Sequence, residues 1–429
     1  MKNRMRKVLG ILASAILVMI GASRPSQILC TWPKPLFWVT AHTSVAVPWS
    51  RWLPIEAEAS NSPVEIDHQR NRTWISLGQN AWHFSVHHTG IYRLKYRVLG
   101  VVPWGSSWVQ ASAPLWVVAG GQSIGIVIHT KGLILRAFQP VRQGSGADID
   151  PAKRAGLEVG DVIAAVNGRA IKSLNSFDRQ IEQAGRARRA LVLSVVGQSS
   201  RIRRVTPVWQ PAHHRYAIGA VLSDGLSGVG TLTYFDPKTG RFGALGHSMS
   251  DGVTRVPVAI SSGVVMGANV VGVVSSRVDD PGEKIGVLAK RSEIAGRITA
   301  NGAFGIHGRL VRWPKGAAIH RVPVAYPDDI QPGPATLVTV LHGQRTSDYG
   351  IRILRAYRQR RARTKGILFE VTDPRLLRTT GGIVQGMSGS PILQDGRLVG
   401  AVTHVMVGRP WLGYGCYAVW MMGDKSQAG

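Results

Sequence analysis

The chain has 429 residues and a formal net charge of +28, because 52 lysines and arginines outnumber 24 acidic residues. Two cysteines in a chain of this length argue against a fold held together by disulfides, and no clusters of cysteine and histidine stand at ligand spacing, so the sequence predicts no metal and no cofactor. The basic excess favours acidic partners such as anionic lipid head groups. The arginine clusters lack interleaved aromatic residues or a known reading module, and we expect no nucleic-acid binding.

Residues 1–25 are predicted to form a signal peptide or a membrane anchor. Four lysines and arginines among the first seven residues precede residues 8–22, an apolar run of 15 without charge. A membrane span takes about 20 residues, so this run is short for one, and the small residues at 21–23 suit cleavage. The alternative is a buried amphipathic helix. We expect the rest of the chain to be exported across the cytoplasmic membrane, whether the segment is removed or retained.

Residues 26–55 form a predicted linker rich in tryptophan and proline. Four tryptophans lie between positions 32 and 52, and their rings suit a bilayer interface as well as ordinary packing. Together with the positive charge they favour association with a membrane surface. Residues 56–118 are predicted to be a small β region, because apolar and polar residues alternate there as they do in strands. No chemistry is evident in that region.

Residues 119–200 have the pattern of a PDZ domain. The letters AGLEVGDVI at 155–163 and VNG at 166–168 are typical of the bacterial PDZ core, and a helix capped by Ser173 should follow. The apolar-Gly-apolar stretch Ser123, Ile124, Gly125 and Ile126 is predicted to be the loop whose backbone amides capture the terminal carboxylate of a peptide tail.

Residues 205–429 are predicted to be an all-β domain, with short strands and glycine- and proline-rich turns that indicate a barrel. His247 leaves a short apolar strand, which follows the turn at 236–240, and enters a polar loop. That is a suitable place for a general base. A single histidine is more often structural, so this interpretation depends on a partner.

Ser388 is the predicted nucleophile, within the stretch GMSGSP at 386–391. A serine hydroxyl needs a neighbouring base and a cradle of backbone amides for the oxyanion that forms. The glycines that flank it allow backbone torsions that turn N–H groups inward, and the amides of Gly386 and Ser388 would form the oxyanion hole. The alternative is an ordinary Gly/Ser hairpin turn.

Asp373, which ends a strand-like run 15 residues before Ser388, is the candidate that would orient the imidazole. On spacing alone, a turn or helix cap before Pro374 is the alternative. Three acidic residues nearer the middle of the interval remain candidates: Asp279, Asp280 and Glu283. A two-residue mechanism of serine and histidine also stays open, as does His404 as a second base.

From about residue 100 onward the chain carries a series of ordered motifs: AGGQSIG at 119–125, GVGTLT at 228–233, GALGH at 243–247, VTDP at 371–374, GIVQGMSGSPI at 382–392 and GAVTHV at 400–405. In these motifs it resembles the stage IV sporulation protein B peptidases of spore-forming Firmicutes. The order His, Asp, Ser is like that of chymotrypsin-type double barrels, and in this family the residues matching His247, Asp373 and Ser388 are the proposed triad.

The resemblance implies a protease of sporulation that acts in the space around the forespore. Family members cleave themselves and cut the regulatory partner of an intramembrane protease that activates the late sigma-K factor. The sequence as a whole therefore predicts a multidomain, mainly β, exported serine endopeptidase whose PDZ domain docks peptide tails of its protein substrate or of the chain itself. The alternative is a non-catalytic PDZ scaffold that signals by binding at the membrane surface.

Overall fold

The computed structural model describes residues 33–34, 36–48, 54–59, 64–67, 75–77, 81–143, 148–171, 173–196, 200–250, 260–290, 294–312, 320–359 and 361–423. The predicted signal segment 1–25 lies outside these residues, as do residues 26–32, 35 and 49–53 of the predicted linker 26–55. The described part of that linker corrects the prediction, because it contains the strands Leu36–Thr40 and Ser44–Pro48. None of the helices within them has the length and apolar character needed to cross a membrane. The chain divides into two compact units, Met1–Leu115 with Pro323–Gln331, and Trp116–Val322 with Pro332–Gly429.

The first unit is a β structure with two sheets, ordered β1-β8-β7-β3-β5 and β2-β6-β4. Alternate residues of β7 are buried, as their sequence alternation predicts. A turn at Pro327–Asp329 also belongs to this unit, where Asp328 accepts a hydrogen bond from the backbone N–H of Trp38 at 2.7 Å. The strands are Leu36–Thr40 (β1), Ser44–Pro48 (β2), Ile55–Ala59 (β3), Val64–Ile66 (β4), Ile75–Ser76 (β5), Ala81–Val86 (β6), Gly90–Val98 (β7) and Val102–Ser112 (β8).

The second unit contains a first barrel, a group of strands and helices inserted into it, and a second barrel. Up to the second barrel its elements are Trp116–Ala119 (β9), Ser123–Phe138 (β10), Val141–Arg142 (β11), Asp148–Ile149 (β12), Pro151–Arg154 (α1), Val162–Val166 (β13), Arg169–Ala170 (β14), Leu174–Arg186 (α2), Leu191–Val196 (β15), Ser200–Val205 (β16), Val208–Gln210 (β17), Arg215–Ala217 (β18), Ala220–Phe235 (β19), Arg241–Leu245 (β20), Ile260–Val274 (β21), Glu283–Leu288 (β22), Ile294–Gly302 (β23), Gly305–Leu310 (β24) and Arg321–Pro323 (β25).

The first barrel is a ring of strands in which each pairs with the next. The order is β10-β21-β23-β24-β20-β19, and the antiparallel pairing of β19 with β10 closes the ring. Isoleucines of β10 fill its core together with Leu232 and Phe242, all of them buried. His247 follows the end of β20, at the rim of this barrel.

The second barrel is closed in the order β26-β27-β28-β31-β30-β29. The stretch that carries Ser388 leads directly into β29, so the two candidate residues stand on different barrels. The prediction of a barrel-type domain is confirmed. The elements are Gly333–Thr339 (β26), Ser347–Ala356 (β27), Ile367–Val371 (β28), Pro374–Thr380 (α3), Pro391–Gln394 (β29), Arg397–Met406 (β30), Arg409–Tyr417 (β31) and Ala418–Met422 (α4).

The inserted group uses the far halves of two barrel strands. Beyond His129, β10 continues into a sheet ordered β16-β15-β13-β10, and the start of β19 pairs with its last residues. Helix α2 covers this sheet and begins at Ser173, whose side chain accepts a hydrogen bond from the N–H of Ser176, as its predicted cap requires. The domain boundaries predicted at 119–200 and 205–429 therefore differ from the structure, in which the first half of β10 belongs to the first barrel and β9 pairs with β19 of that barrel.

The predicted carboxylate-binding loop, Ser123 to Ile126, is corrected by this topology. These residues lie within β10, with Ser123 paired to Thr231 of β19 and Ile124 paired to Gly267 of β21. Ile124 and Ile126 are buried in the barrel core. A stretch paired on both edges has no free N–H groups for a peptide carboxylate, and no added strand fits beside it.

Candidate active site

His247 and Ser388 are brought together from the two barrels. The Nε2 atom of His247 lies 3.0 Å from Ser388 Oγ, and the Nδ1 atom lies 2.9 Å from the backbone carbonyl oxygen of Ser248. A carbonyl oxygen can only accept, so Nδ1 carries the proton and Nε2 of the neutral ring is the acceptor. This tautomer receives the proton of the Ser388 hydroxyl, as a general base must.

Burial keeps the imidazole in its neutral form. It lowers the pKa of His247 below the ordinary value of 6.5, while the hydrogen bond to the Ser248 carbonyl acts in the opposite direction. At neutral pH the ring is therefore unprotonated and able to take a proton from serine.

The loop that carries Ser388 depends on its two glycines. Gly386 and Gly389 have φ angles of +89° and +91°, which residues with a Cβ rarely adopt. A Cβ on Gly389 would also stand 2.2 Å from the carbonyl oxygen of Thr231. These torsions agree with the prediction that glycine is needed at both positions for its backbone conformation.

Strand β19 of the first barrel holds the carbonyl groups of this loop. The Thr231 hydroxyl donates to the Gly386 carbonyl at 2.7 Å, and the Thr233 hydroxyl donates to the Gly389 carbonyl at 2.7 Å. The backbone N–H of Thr231 donates to the carbonyl of Ser388 at 3.0 Å. Both threonines belong to the GVGTLT motif at 228–233, but nothing in their sequence spacing indicates this role.

The two amides proposed for the oxyanion hole are free within the described part of the chain. The Gln385 carbonyl accepts from the N–H of Lys284 at 2.9 Å, and the Met387 carbonyl accepts from the N–H of Ser390 at 2.8 Å. In a trans peptide the N–H points opposite to the carbonyl. The N–H groups of Gly386 and Ser388 consequently face away from these anchors, and they donate to no described residue. They remain available to an oxyanion.

Asp373 does not contact His247, which corrects its expected role. Its carboxylate accepts from the side chain of Arg375 at 2.7 Å and 3.1 Å, and from the backbone N–H of Arg375 and of Gly350. It caps α3, and the Arg375 guanidinium holds the pKa of Asp373 well below its usual range. The cap that the sequence offered as the alternative is the arrangement found.

No other described carboxylate takes that place. Asp279 and Asp280 form a tight turn after β21, and Glu283 begins β22 with its backbone bridged to Gln385. Among the described residues none of the three donates to or accepts from His247. The histidine is oriented by a backbone carbonyl instead, so the described site is a dyad of serine and histidine.

His404 on β30 is a neighbour of the base. Its ring centroid lies 5.7 Å from that of His247, with the planes tilted by 42°. Burial, assisted by the proximity of His247, lowers the pKa of His404 to about 4, so that the ring is neutral at neutral pH. It makes no hydrogen bond to Ser388 within the described residues. Groups of three or more side chains able to hold a metal ion are also absent from those residues.

A cavity of about 460 Å³ lies between α2 and the start of β19, in the inserted group. Its walls include Leu174 and Ile181 of the helix and Ile218, Gly219 and Leu222 opposite them. From Ala220 to Ser223, β19 pairs with β10 on one side, and no described strand pairs with its other edge. PDZ domains bind peptides by adding a strand to such an edge.

The sequence prediction missed the residues of this cavity because it assigned the apolar-Gly-apolar pattern to the stretch at 123–126. Residues 217–221 spell AIGAV, the same apolar-Gly-apolar pattern as the stretch at 123–126. Only the pairing of β10 on both edges distinguishes the two stretches. The charged residues that line the cavity are the basic Arg179 and Arg215 and the acidic Asp178 and Glu182. Glu182 accepts a hydrogen bond from the N–H of Tyr216 at 3.1 Å, so the two arginines are the lining groups of a sign that suits a peptide carboxylate.

Comparison with known proteins finds two family matches. Residues 214–422 match the family model described as SpoIVB peptidase S55, and residues 150–194 match a PDZ domain. No curated protein matches the chain. Among solved structures, the active form of the Rv3671c protease from M. tuberculosis matches with 14% identity over 48% of this chain and 75% of that chain, at a TM-score of 0.26. The match is too distant to inform the site.

Proposed function

The chain belongs to the SpoIVB-like family of PDZ-containing serine peptidases, and from this premise we propose that it is an exported endopeptidase in which Ser388 and His247 act as a dyad. The observation that carries the proposal is the 3.0 Å contact between His247 Nε2 and Ser388 Oγ, beside the free amides of Gly386 and Ser388. Nucleophile, base and oxyanion donors are the parts that acyl transfer requires.

The reaction follows from these positions. Ser388 Oγ attacks the carbonyl carbon of the scissile peptide while His247 Nε2 takes the hydroxyl proton. The N–H groups of Gly386 and Ser388 bind the oxyanion of the tetrahedral intermediate. His247 then gives its proton to the leaving amine, which leaves an ester on Ser388. Water, deprotonated by the same histidine, hydrolyses that ester and restores the serine.

The PDZ cavity suits the docking of a peptide tail. We propose that a tail adds as a strand to the edge of β19 at Ala220–Ser223, with its carboxylate at the turn of Ile218 and Gly219. The tail belongs to the protein substrate or to the chain itself. This assignment replaces the stretch at 123–126.

The family resemblance supports a more specific role. On that basis we propose that the peptidase acts in the space around the forespore, associated with a membrane surface. There it cleaves itself and a regulatory membrane protein, and so triggers the intramembrane processing of pro-sigma-K. The net charge of +28 favours this attachment to anionic lipid.

The test of the proposed chemistry is labelling of the purified chain with a fluorophosphonate, followed by mass spectrometry. We expect the probe on Ser388, discrete self-cleavage fragments in the wild type, and neither in Ser388→Ala. An intact, unlabelled wild type would favour the non-catalytic scaffold. In sporulating cells, the scaffold would also be favoured if Ser388→Ala preserves signalling while Arg179→Glu in the cavity weakens it. Arg204→Glu, an equal charge change on exposed β16, is the matched control.

A further inference from the structure

Lys284 is buried directly behind the nucleophile loop. It lies on β22 with 5% of its surface exposed, and no described carboxylate pairs with it. Burial of an unpaired amine is costly, and it lowers the pKa of Lys284 to about 7. A lysine retained in such a place calls for an explanation beyond packing.

The backbone and the side-chain stem of Lys284 both contact the part of the loop that carries the Gly386 amide. Its N–H anchors the Gln385 carbonyl at 2.9 Å, which fixes the peptide whose N–H belongs to Gly386. Its stem lies under Gly386, because a Cβ added there would stand 3.1 Å from Lys284 Cβ and 3.3 Å from Cδ. Lys284 therefore packs against Gly386 and holds the peptide whose N–H is one of the two oxyanion donors.

The amine continues the support through a row of buried hydroxyls. Lys284 Nζ donates to Thr339 Oγ1 at 2.7 Å, and Ser390 Oγ donates to the same oxygen at 3.0 Å. Ser390 Oγ also lies 3.5 Å from Thr231 Oγ1, which in turn donates to the Gly386 carbonyl at 2.7 Å. All four side chains are buried. This row of polar contacts links Lys284, which packs against Gly386, to Thr231, which binds the Gly386 carbonyl.

We propose that Lys284 is a positioning residue for the reaction at Ser388, acting through its stem and through the Thr339–Ser390–Thr231 row to aim the amides of Gly386 and Ser388 at the oxyanion. The inference rests on the proposed function, since it assigns a role within that site. Lys284 is not the base, because its amine makes no hydrogen bond to Ser388. It acts on the donors and leaves proton transfer to His247.

A mispositioned oxyanion hole affects the transition state more than binding. Donors act only at hydrogen-bond distance from the place where charge develops, and losing one costs roughly 10²- to 10³-fold in rate. Removing the lysine amine leaves both donors present but less firmly held. We therefore expect a loss of roughly 10- to 100-fold, confined to the bond-forming step.

The test measures fluorophosphonate labelling of the full chain, resolved into the maximal rate constant and the half-saturating probe concentration. Lys284→Met keeps the length of the stem and removes the amine. Thr339→Val removes the hydroxyl that receives it, and Thr339→Ser retains that hydroxyl. We expect Lys284→Met and Thr339→Val to lower the maximal rate at least tenfold with half-saturation within threefold. Thr339→Ser should stay within threefold of wild type on both measures.

Each outcome decides the inference. Labelling of folded Lys284→Met at the wild-type rate would overturn the inference. Equal losses of labelling rate in Thr339→Ser and Thr339→Val would also overturn it, because they would show that the packing of the Thr339 side chain matters and its hydroxyl does not. If Lys284→Met does not fold, the two threonine variants carry the test. An unlabelled wild type would overturn the proposed function and this inference together, whereas a labelled wild type with unaffected variants overturns the inference alone.

Discussion

The proposed catalytic centre and the proposed peptide-docking cavity each include a glycine-bearing segment of backbone, but the two segments are held in different ways. Around Ser388 the loop carbonyls accept hydrogen bonds from neighbouring strands, including bonds from the hydroxyl and the backbone N–H of Thr231. The free amides of the loop therefore have one fixed direction. At the cavity, β19 presents an edge that is paired on one side only. The first arrangement suits a transition state of fixed geometry, and the second suits peptides of varied sequence.

Removal of the base should produce the largest effect at the catalytic centre. His247→Ala leaves the Ser388 hydroxyl without an acceptor, and we expect labelling to fall by about 10⁴-fold or more. His404→Gln is the matched control, since His404 is a neighbouring half-buried histidine without a hydrogen bond to Ser388. Its loss should remain below about tenfold. Equal losses in the two variants would instead make His404 part of the proton transfer.

The rigidity of the nucleophile loop predicts the next largest effect. In Gly389→Ala the new methyl group would meet the Thr231 carbonyl at 2.2 Å and the backbone N of Leu245 at 2.4 Å. Because the loop must move, we expect labelling to fall roughly 10²-fold or more. Gly396→Ala, at φ +71° with no atom within 4 Å, controls for backbone strain alone, worth about 1 kcal/mol. A Gly389→Ala enzyme that labels like Gly396→Ala would show that the loop is adaptable.

The pH dependence tests whether the base has a carboxylate partner. Because burial lowers the pKa of His247, the rate should stay constant down to below pH 6.5 and then fall about tenfold per pH unit. Stability must be measured alongside. His404 has a pKa of about 4 in the folded chain, so the unfolded chain binds more protons between about pH 6.5 and 4. The free energy of unfolding therefore decreases as the pH is lowered through that range. An inflection well above 6.5 would indicate a carboxylate that raises the pKa of His247.

At the PDZ cavity the expected effects are smaller, because an exposed charge contributes modestly to binding. We expect Arg179→Glu to weaken binding of a labelled peptide with a free apolar C-terminus roughly three- to tenfold. Amidation of that peptide should weaken binding to the wild type and abolish the difference between wild type and variant. Arg204→Glu keeps the net charge of the variant but lies outside the cavity. Equal weakening by both substitutions would mean that the effect is one of overall charge.

The same contrast explains which features could be predicted from the sequence. Gly386, Ser388 and Gly389 were identifiable because their requirements, positive φ and a nucleophile between free amides, act within a few residues. The burial of the 123–126 stretch and the position of the cavity could not be predicted in this way. They depend on the pairing of β10 with β19 and β21, and the partners of the 123–126 stretch lie about 100 or more residues away in the chain. Lys284 carries no local signal at all, since its position behind Gly386 arises from the packing of β22 against the loop.

The carboxylate at 373 offers the finest test of the comparison, because family resemblance and geometry assign it different roles. In the structure it caps α3 and binds Arg375, so Asp373→Ala should cost about 1 kcal/mol of stability through the lost cap. The acid limb of the labelling profile should stay in place, since the carboxylate makes no contact with His247. Asp373→Asn retains a capping oxygen and should recover much of the stability. A displaced acid limb in both variants would instead mean that the carboxylate reaches the imidazole when substrate is bound, and the dyad would then be a triad assembled during the reaction.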